Sequence, residues 1–121
     1  MSIRSATLVD EEAVVALWLA CDLVASYNDP SHDFNFAISG TCSDVLVSED
    51  ATGGINGSVM VGHDGHRGWL YYVAVAPRQR GTGLGRDLVS AGEQWLRHRG
   101  IVKAQLLVRE TNTARSRSTS I

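Results

Sequence analysis

The sequence predicts one mixed α/β (α+β) domain, in which helices cover the faces of a mixed sheet. Three observations support this class. The 121 residues are enough for one hydrophobic core but not for two. A hydrophobic fraction of 44% and a charged fraction of 20% are ordinary for a folded globular protein. Strand and helix patterns follow one another in the order β-α-α-β-β-β-α-β.

The first half of the chain predicts a strand, two helices and a second strand. The first strand covers residues 3–8, and Asp10 caps a first helix that extends to about residue 25, because apolar residues recur at helical spacing. Asp29 caps a second helix that begins at Pro30 and ends at Gly40. Residues 45–48 are predicted to form the next strand.

The second half predicts a hairpin, a glycine-rich loop, a helix and a last strand. Asp64-Gly65 is a typical hairpin turn between strands at residues 55–62 and 69–76. The second of these is almost wholly apolar, so we predict that it is the central strand. A helix then begins near Leu84, and the last strand runs from Val102 to Val108.

Charge and cysteine content exclude several classes of function. No apolar run is long enough to cross a membrane, and no signal peptide is evident at the start, so we expect a cytoplasmic protein with no membrane partner. Two separate cysteines support neither a disulfide framework nor a zinc site, so no metal is expected. Residues 1–64 are acidic and residues 65–121 basic, which indicates either a solvated surface or two faces for ligands of opposite charge.

The glycine-rich loop at residues 80–85 follows a strand and opens a helix, which is typical of an anion site. Glycines allow a phosphate to approach the backbone, and Arg78, Arg80 and Arg86 flank the turn. The loop lacks the lysine and hydroxyl residue of a nucleotide-triphosphate loop. It also lacks the third glycine of a dinucleotide fold, because Arg86 or Leu88 stands at that position.

The pattern Arg80-x-x-Gly83-x-Gly85 after an apolar strand resembles the signature of the GNAT superfamily of N-acetyltransferases. The order of elements agrees, and the resemblance covers residues 3–114. It implies an N-acetyltransferase domain at residues 1–114, incomplete at its C-terminus, with a disordered tail at 115–121. It implies a mostly antiparallel sheet. A narrower resemblance, to a small bacterial subgroup typified by the YpeA proteins, lies in Asn28-Asp29-Pro30 and in Asp64-Gly65-His66-Arg67-Gly68.

The resemblance implies that acetyl-CoA lies between two diverging strands, residues 69–76 and 102–108. The pyrophosphate would bind backbone N–H groups of the loop, and the pantetheine arm would pair with the strand before it. Asn112 matches an asparagine that often contacts the cofactor. The implied cofactor-binding residues are Val73, Ala74, Val75, Arg80, Gly81, Thr82, Gly83, Leu84, Gly85, Arg86 and Asn112.

The reaction implied by the resemblance is direct attack of an amine on the thioester. The backbone N–H near Val73 would stabilise the oxyanion. A general base helps such a reaction, but the strand offers only Trp69, Tyr71 and Tyr72, while Asp64 and His66 lie at the hairpin. Tyr72 is our choice for a catalytic residue at the acceptor site. The alternative for Tyr71 and Tyr72, one on each face of the strand, is packing.

The acceptor is expected to be an amine rather than a nucleic acid. The implied substrate-binding residues are Asn28, Asp29 and Tyr71. Because the acidic half of the chain would border the acceptor, we expect a cationic amine, steered by Asp29, Asp33 and neighbouring carboxylates. Leu107 stands where some protein N-terminal acetyltransferases carry a glutamate, which counts against that class.

The chain departs from the family pattern after Ala114. The usual tyrosine-bearing helix and two further strands are missing, so we expect a domain cut short at its C-terminus. The strand from Val102 to Val108 would then have a free edge, which predicts a homodimer through that edge. Two functions stay open: an acetyltransferase, or an acetyl-CoA-binding or interaction protein with little catalysis.

Overall fold

The order of elements along the chain agrees with the prediction. The computed structural model describes residues 2–21, 23, 29–79 and 81–106. Short 3₁₀ turns at Leu8–Asp10 and Pro77–Gln79 precede the first and third helices. The strands and helices are β1 (Ser2–Ser5), α1 (Glu11–Ala20), α2 (Pro30–Ser39), β2 (Ser43–Glu49), β3 (Ile55–His63), β4 (Arg67–Val75), α3 (Leu84–His98) and β5 (Lys103–Leu106).

The five strands form one sheet in the order β1-β2-β3-β4-β5. The first three pairs are antiparallel, and β4 pairs with β5 in parallel, from Arg67 opposite Lys103 to Leu70 opposite Leu106. The predicted mixed, mostly antiparallel sheet is therefore confirmed. We predicted that β4 is the central strand. In the described sheet the middle strand is instead β3, which has seven consecutive buried residues, and β4 lies next to it.

The first strand is shorter than predicted. It ends at Ser5, because Leu8 begins a 3₁₀ turn that Asp10 stabilises. The Asp10 carboxylate accepts hydrogen bonds from the Arg4 guanidinium at 2.8 and 3.1 Å and from the Thr7 backbone N–H at 2.8 Å. These bonds hold the pKa of Asp10 below its ordinary value, chiefly through Arg4. Asp10 stands at the predicted N-cap position of α1, but its side chain makes no capping hydrogen bond to that helix and bonds to Arg4 and Thr7 instead.

The two N-terminal helices begin where predicted, and the second is capped as predicted. The α2 helix begins at Pro30, and Asp29 Oδ1 accepts a hydrogen bond from the His32 backbone N–H at 3.2 Å. It ends at Ser39, before Gly40. The α1 helix ends at Ala20 rather than near residue 25, and residues 22 and 24–28 lie outside the described part of the chain.

The two faces of the sheet carry separate hydrophobic clusters. The cluster under α1 and α2, called the helix-pair cluster below, contains buried residues from both helices, from the sheet and from two connecting segments: Ala6, Val14, Leu17, Trp18, Leu23, Phe34, Ala37, Val45, Val47, Met60 and Ala74. The cluster under α3, called the α3 cluster, fills the opposite face: Leu46, Val59, Val61, Leu70, Leu84, Leu88, Trp95, Leu96 and Ile101. Helices therefore cover both faces, as the fold class predicts.

The last described strand is shorter than predicted. It begins at Lys103, and Val102 stands outside it with 84% of its surface exposed. Residues 107 and 108 lie outside the described part, so pairing of a second copy along this edge stays a prediction. Within the described ranges, no helix is long and apolar enough to cross a membrane.

Candidate active site

A β-bulge interrupts β4 at Tyr72 and Val73. Ser58 of β3 lies opposite Ala74, and Met60 lies opposite Tyr71, so the single residue between them, Val59, faces two residues of β4. Tyr72 has a φ of 55°, in the left-handed region. For a residue with a Cβ this conformation costs about 1–2 kcal/mol, so side-chain contacts must compensate for it.

The bulge changes which residues of β4 share a face. Tyr71 and Tyr72 both pack against the helix-pair cluster, with ring centroids 5.5 Å apart. The expectation that they lie on opposite faces is wrong, because the extra residue shifts the alternation of side chains by one. Val73, the second residue of the bulge, and Val75 pack against the α3 cluster on the other face.

The Tyr72 side chain is held by a stack and a hydrogen bond. Its ring stacks on Trp18, with centroids 4.5 Å apart and planes 17° from parallel. Its hydroxyl donates to Asp33 Oδ2 at 3.1 Å. Trp18 is fully buried, and its indole N–H donates to the buried Ser58 hydroxyl at 2.8 Å. These contacts fix the conformation of the bulge from three other elements.

Trp18, Asp33 and Ser58 were not predicted as parts of one arrangement. From the sequence, Asp33 is expected among the acidic residues near the acceptor, and Trp18 is one of the apolar residues that recur at helical spacing in α1. The register of the bulged strand and the packing of α1 and α2 on the sheet bring them together at Tyr72, and a single sequence carries no signal for either.

Tyr71 lies beside this arrangement and keeps its proton at neutral pH. Burial is the main cause that raises the pKa of its hydroxyl. A hydrogen bond from Trp69 opposes the shift, and the negative charge of Asp33 adds to it. The side chain of Tyr71 is half-buried, so it can contact a ligand while it packs against the core.

The glycine-rich turn places the start of α3 after β4. Gly83 is the N-cap residue with a φ of 89°, and Gly81 has a φ of 85°, both in the left-handed region that glycine favours. The Asp87 backbone N–H donates to the Gly83 carbonyl at 3.1 Å, which closes the first turn of the helix. The N–H groups of the residues before Asp87 therefore point out of the helix start.

The turn has room for a ligand against its backbone. Apart from the flanking residues, a Cβ built on Gly81 or on Gly83 would meet no atom of the described part of the chain within 4 Å. The Thr82 hydroxyl donates to the Gln79 carbonyl at 2.6 Å, which stabilises the turn. An anion can therefore approach these N–H groups without displacing a side chain.

The turn lies close to the end of β4. A Cβ on Gly85 would lie 3.6 Å from Val75 Cγ2, and Cys21 at the end of α1 donates its thiol to the Val75 carbonyl at 3.4 Å. The Ala76 backbone N–H donates to the Asn56 carbonyl of β3 at 2.9 Å. The bulge, the strand end and the helix start thus belong to one continuous strand-turn-helix unit.

The flanking charges differ from the prediction at one position. Arg86 is exposed in the first turn of α3, as an anion site requires. Arg78 instead has its guanidinium 3.7 Å from Asp50 Oδ2, at the β2–β3 turn. The first turn of α3 also carries the exposed carboxylate of Asp87. Asn28, Arg80 and Asn112 lie outside the described residues, so their predicted roles stay predictions.

The carboxylate of Asp64 stabilises the turn of the β3–β4 hairpin. Asp64 Oδ1 accepts backbone hydrogen bonds from His66 and Arg67, both at 2.9 Å. The Arg67 bond is the largest cause of a lowered pKa at Asp64. Gly65 has a φ of 97°, which agrees with the predicted turn. In the ranges that the structure covers, no three His, Cys, Asp or Glu side chains cluster closely enough to hold a metal ion.

Comparisons with known proteins agree with this geometry. The acetyltransferase (GNAT) family matches residues 11–117. An acetyltransferase of Pectobacterium atrosepticum is 45% identical over 114 residues, which cover 94% of this chain and 80% of that protein. The narrower resemblance to the YpeA proteins stays a prediction.

Solved structures share the fold. A GNAT-family acetyltransferase of Staphylococcus aureus superposes with a TM-score of 0.79 at 11% identity, over 93% of this chain and 76% of that one. A protein of Clostridium acetobutylicum, described as a predicted acetyltransferase with acetyl-CoA, gives a TM-score of 0.74 at 15% identity, over 91% and 82% of the two chains.

Proposed function

This chain belongs to the GNAT acetyltransferase family, and from that premise we propose that it transfers the acetyl group of acetyl-CoA to a primary amine of a small molecule or protein. One observation carries the proposal. A strained bulge at Tyr72 and Val73 is followed, on the same strand-turn-helix unit, by an open helix start at Gly81 and Gly83. The bulge would bind the thioester of acetyl-CoA, and the helix start would bind its phosphates.

The phosphates of acetyl-CoA would bind at the start of α3. Backbone N–H groups and the helix dipole favour an anion there, and Arg80 and Arg86 would add charge-assisted contacts. The pantetheine arm would run along β4 and pair with the backbone of Val73, Ala74 and Val75. The remaining contacts would come from a set of small or apolar residues of the turn and from one residue beyond β5: Gly81, Thr82, Gly83, Leu84, Gly85 and Asn112.

The chemistry would take place at the bulge. A neutral amine nitrogen attacks the thioester carbon, the C–N bond forms, and the carbonyl oxygen becomes an oxyanion that accepts a hydrogen bond from the Val73 N–H. Collapse of this intermediate breaks the C–S bond and releases CoA as a thiolate. The proton lost by the amine and the proton gained by the thiolate are exchanged with water or a nearby group.

Tyr72 would line the acceptor side of the bulge rather than act as a base. Its hydroxyl already donates to Asp33, so it is held as a donor. Tyr71 keeps its proton at neutral pH and would supply a half-buried aromatic wall. Asn28 and Asp29, before α2, would complete the acceptor side.

The phosphate site can be tested with a matched pair of variants. Asn and Asp have nearly the same shape, and both tolerate the left-handed conformation of Gly83 better than other side chains. Gly83→Asp adds a negative charge where Gly83→Asn adds none. We expect calorimetry to give a Kd for acetyl-CoA at least about tenfold weaker for Gly83→Asp than for Gly83→Asn.

Transfer itself is tested by release of the free CoA thiol in the presence of an amine panel. Amine-dependent thiol release that follows acetyl-CoA binding across the two variants supports the proposal. Equal acetyl-CoA affinity in the two variants contradicts the phosphate site. Binding of acetyl-CoA with no amine-dependent thiol release contradicts the transferase function.

A further inference from the structure

Asp33 is a half-buried carboxylate beside the bulge, with no basic partner among the described residues. The three ion pairs seen in that part of the chain use Asp10, Glu49 and Asp50. The sequence contains no Lys or Arg between Arg4 and Arg67, so few cations are near in the chain. The partner that Asp33 does have is a neutral one, the Tyr72 hydroxyl, at 3.1 Å from Oδ2.

The surroundings of this carboxylate suit a bound cation. Partial burial lowers the local dielectric constant, which strengthens the attraction between the carboxylate and a positive charge. The ring of Tyr71 lies 5.5 Å from that of Tyr72, one face of which is stacked on Trp18, and an exposed ring face attracts ammonium groups. The charge of Asp33 also acts on the hydroxyl of Tyr71, where it raises the pKa.

The position of Asp33 indicates which nitrogen it would bind. A carboxylate favours the protonated form of a neighbouring amine, whereas the nitrogen that attacks the thioester must be neutral. Asp33 contacts the hydroxyl end of Tyr72, so the length of that side chain separates it from the strand backbone. A nitrogen at the bulge and a nitrogen at Asp33 can therefore belong to one extended molecule.

We propose that Asp33 binds a second, protonated amine of the acceptor, so that the preferred acceptors are aliphatic diamines with several carbons between the nitrogens. This inference rests on the proposed acetyltransferase function. The remaining acceptor capacity of the carboxylate, beyond the bond from Tyr72, takes the ammonium protons.

The test compares two acceptors that differ only at the far end. 1,5-Diaminopentane and 5-amino-1-pentanol carry the same primary amine, but the first ends in an ammonium group and the second in a hydroxyl. We expect kcat/KM for the diamine to exceed that for the amino alcohol by about tenfold at saturating acetyl-CoA, because the bond to the ammonium is charge-assisted.

Variants of Asp33 test whether this residue causes the preference for the diamine. Asp33→Asn keeps an oxygen that accepts from Tyr72 but removes the charge, so the ratio of the two kcat/KM values should fall to near one, whatever change both values share. Asp33→Glu keeps the charge and should keep part of the preference. Glu12→Gln, an exposed residue of α1, removes the same charge elsewhere and should leave the ratio as in the wild type.

The outcomes separate this inference from the proposed function. Equal kcat/KM for the two acceptors in the wild type, or an unchanged ratio in Asp33→Asn, overturns the diamine inference and leaves the acetyltransferase function standing. Thiol release with none of the amines overturns both. If Asp33→Asn does not fold, the wild-type ratio and Asp33→Glu decide. A purely structural role of Asp33 would lower both rates together and leave their ratio unchanged, which also overturns the inference.

Discussion

Replacing Gly92 with alanine should overcrowd the contact between α3 and β4 and destabilise the fold. A Cβ at Gly92 would lie 2.5 Å from Leu70 Cδ2, and Leu70 is fully buried and cannot move aside freely. Overpacking of a core of this kind costs about 1–3 kcal/mol. Alanine stabilises a helix interior by about 0.5–1 kcal/mol relative to glycine, which offsets part of that cost. We therefore expect a net loss of about 1 kcal/mol in the free energy of unfolding, or about 4 °C in Tm.

The same substitution elsewhere in α3 provides the control. A Cβ at Gly85 would meet only Val75 Cγ2, at an ordinary contact distance of 3.6 Å. Gly85→Ala should leave stability unchanged or raise it by up to about 0.5–1 kcal/mol. Urea unfolding, followed by circular dichroism, measures both variants at equal m-value. A Gly92→Ala protein as stable as the wild type would refute the inferred close packing at Leu70.

Two further predictions concern the N-terminal elements. Because Arg4 lowers the pKa of Asp10, the Asp10 charge stabilises the fold above its ordinary pKa of 3.8, and this contribution is lost as pH falls through the lower folded value. The Tm advantage of the wild type over Asp10→Asn should therefore shrink between about pH 5 and pH 2, and a constant difference would contradict the ion pair. Asp29→Ala should cost about 1 kcal/mol of stability by removing the cap on the His32 N–H, whereas Asp29→Asn should cost little. Equal thermal stability of these two variants would contradict a capping role.

The sequence was sufficient to predict features that depend on local chemistry. The cap at Asp29, the start of α2 at Pro30 and the turn at Asp64-Gly65 each follow from neighbouring residues. The glycine turn before α3 is of the same kind, because Gly81 and Gly83 adopt positive φ values that other residues disfavour. Local preference and tertiary structure agree at all of these positions.

The bulge could not be predicted, because the sequence of β4 does not show which side chains point to which face of the sheet. Residues 69–76 are all apolar or aromatic, so no alternation with polar residues shows where the pattern shifts. The contact that stabilises the bulge joins Tyr72 to Asp33, which are 39 residues apart in the chain. A contact of that range depends on how α2 packs on the sheet, and a single sequence does not reveal it.

The bulge also constrains how the length of β4 can change. Ala74 meets the helix-pair cluster and Val75 meets the α3 cluster only because Tyr72 and Val73 together oppose one residue of β3. Removing one residue here would exchange the faces of everything between the deletion and the glycine turn. The small side chain of Ala74 would then leave a gap on one side, and Val75 would crowd the other. An insertion or deletion within this strand is therefore incompatible with the fold unless a second change restores the count.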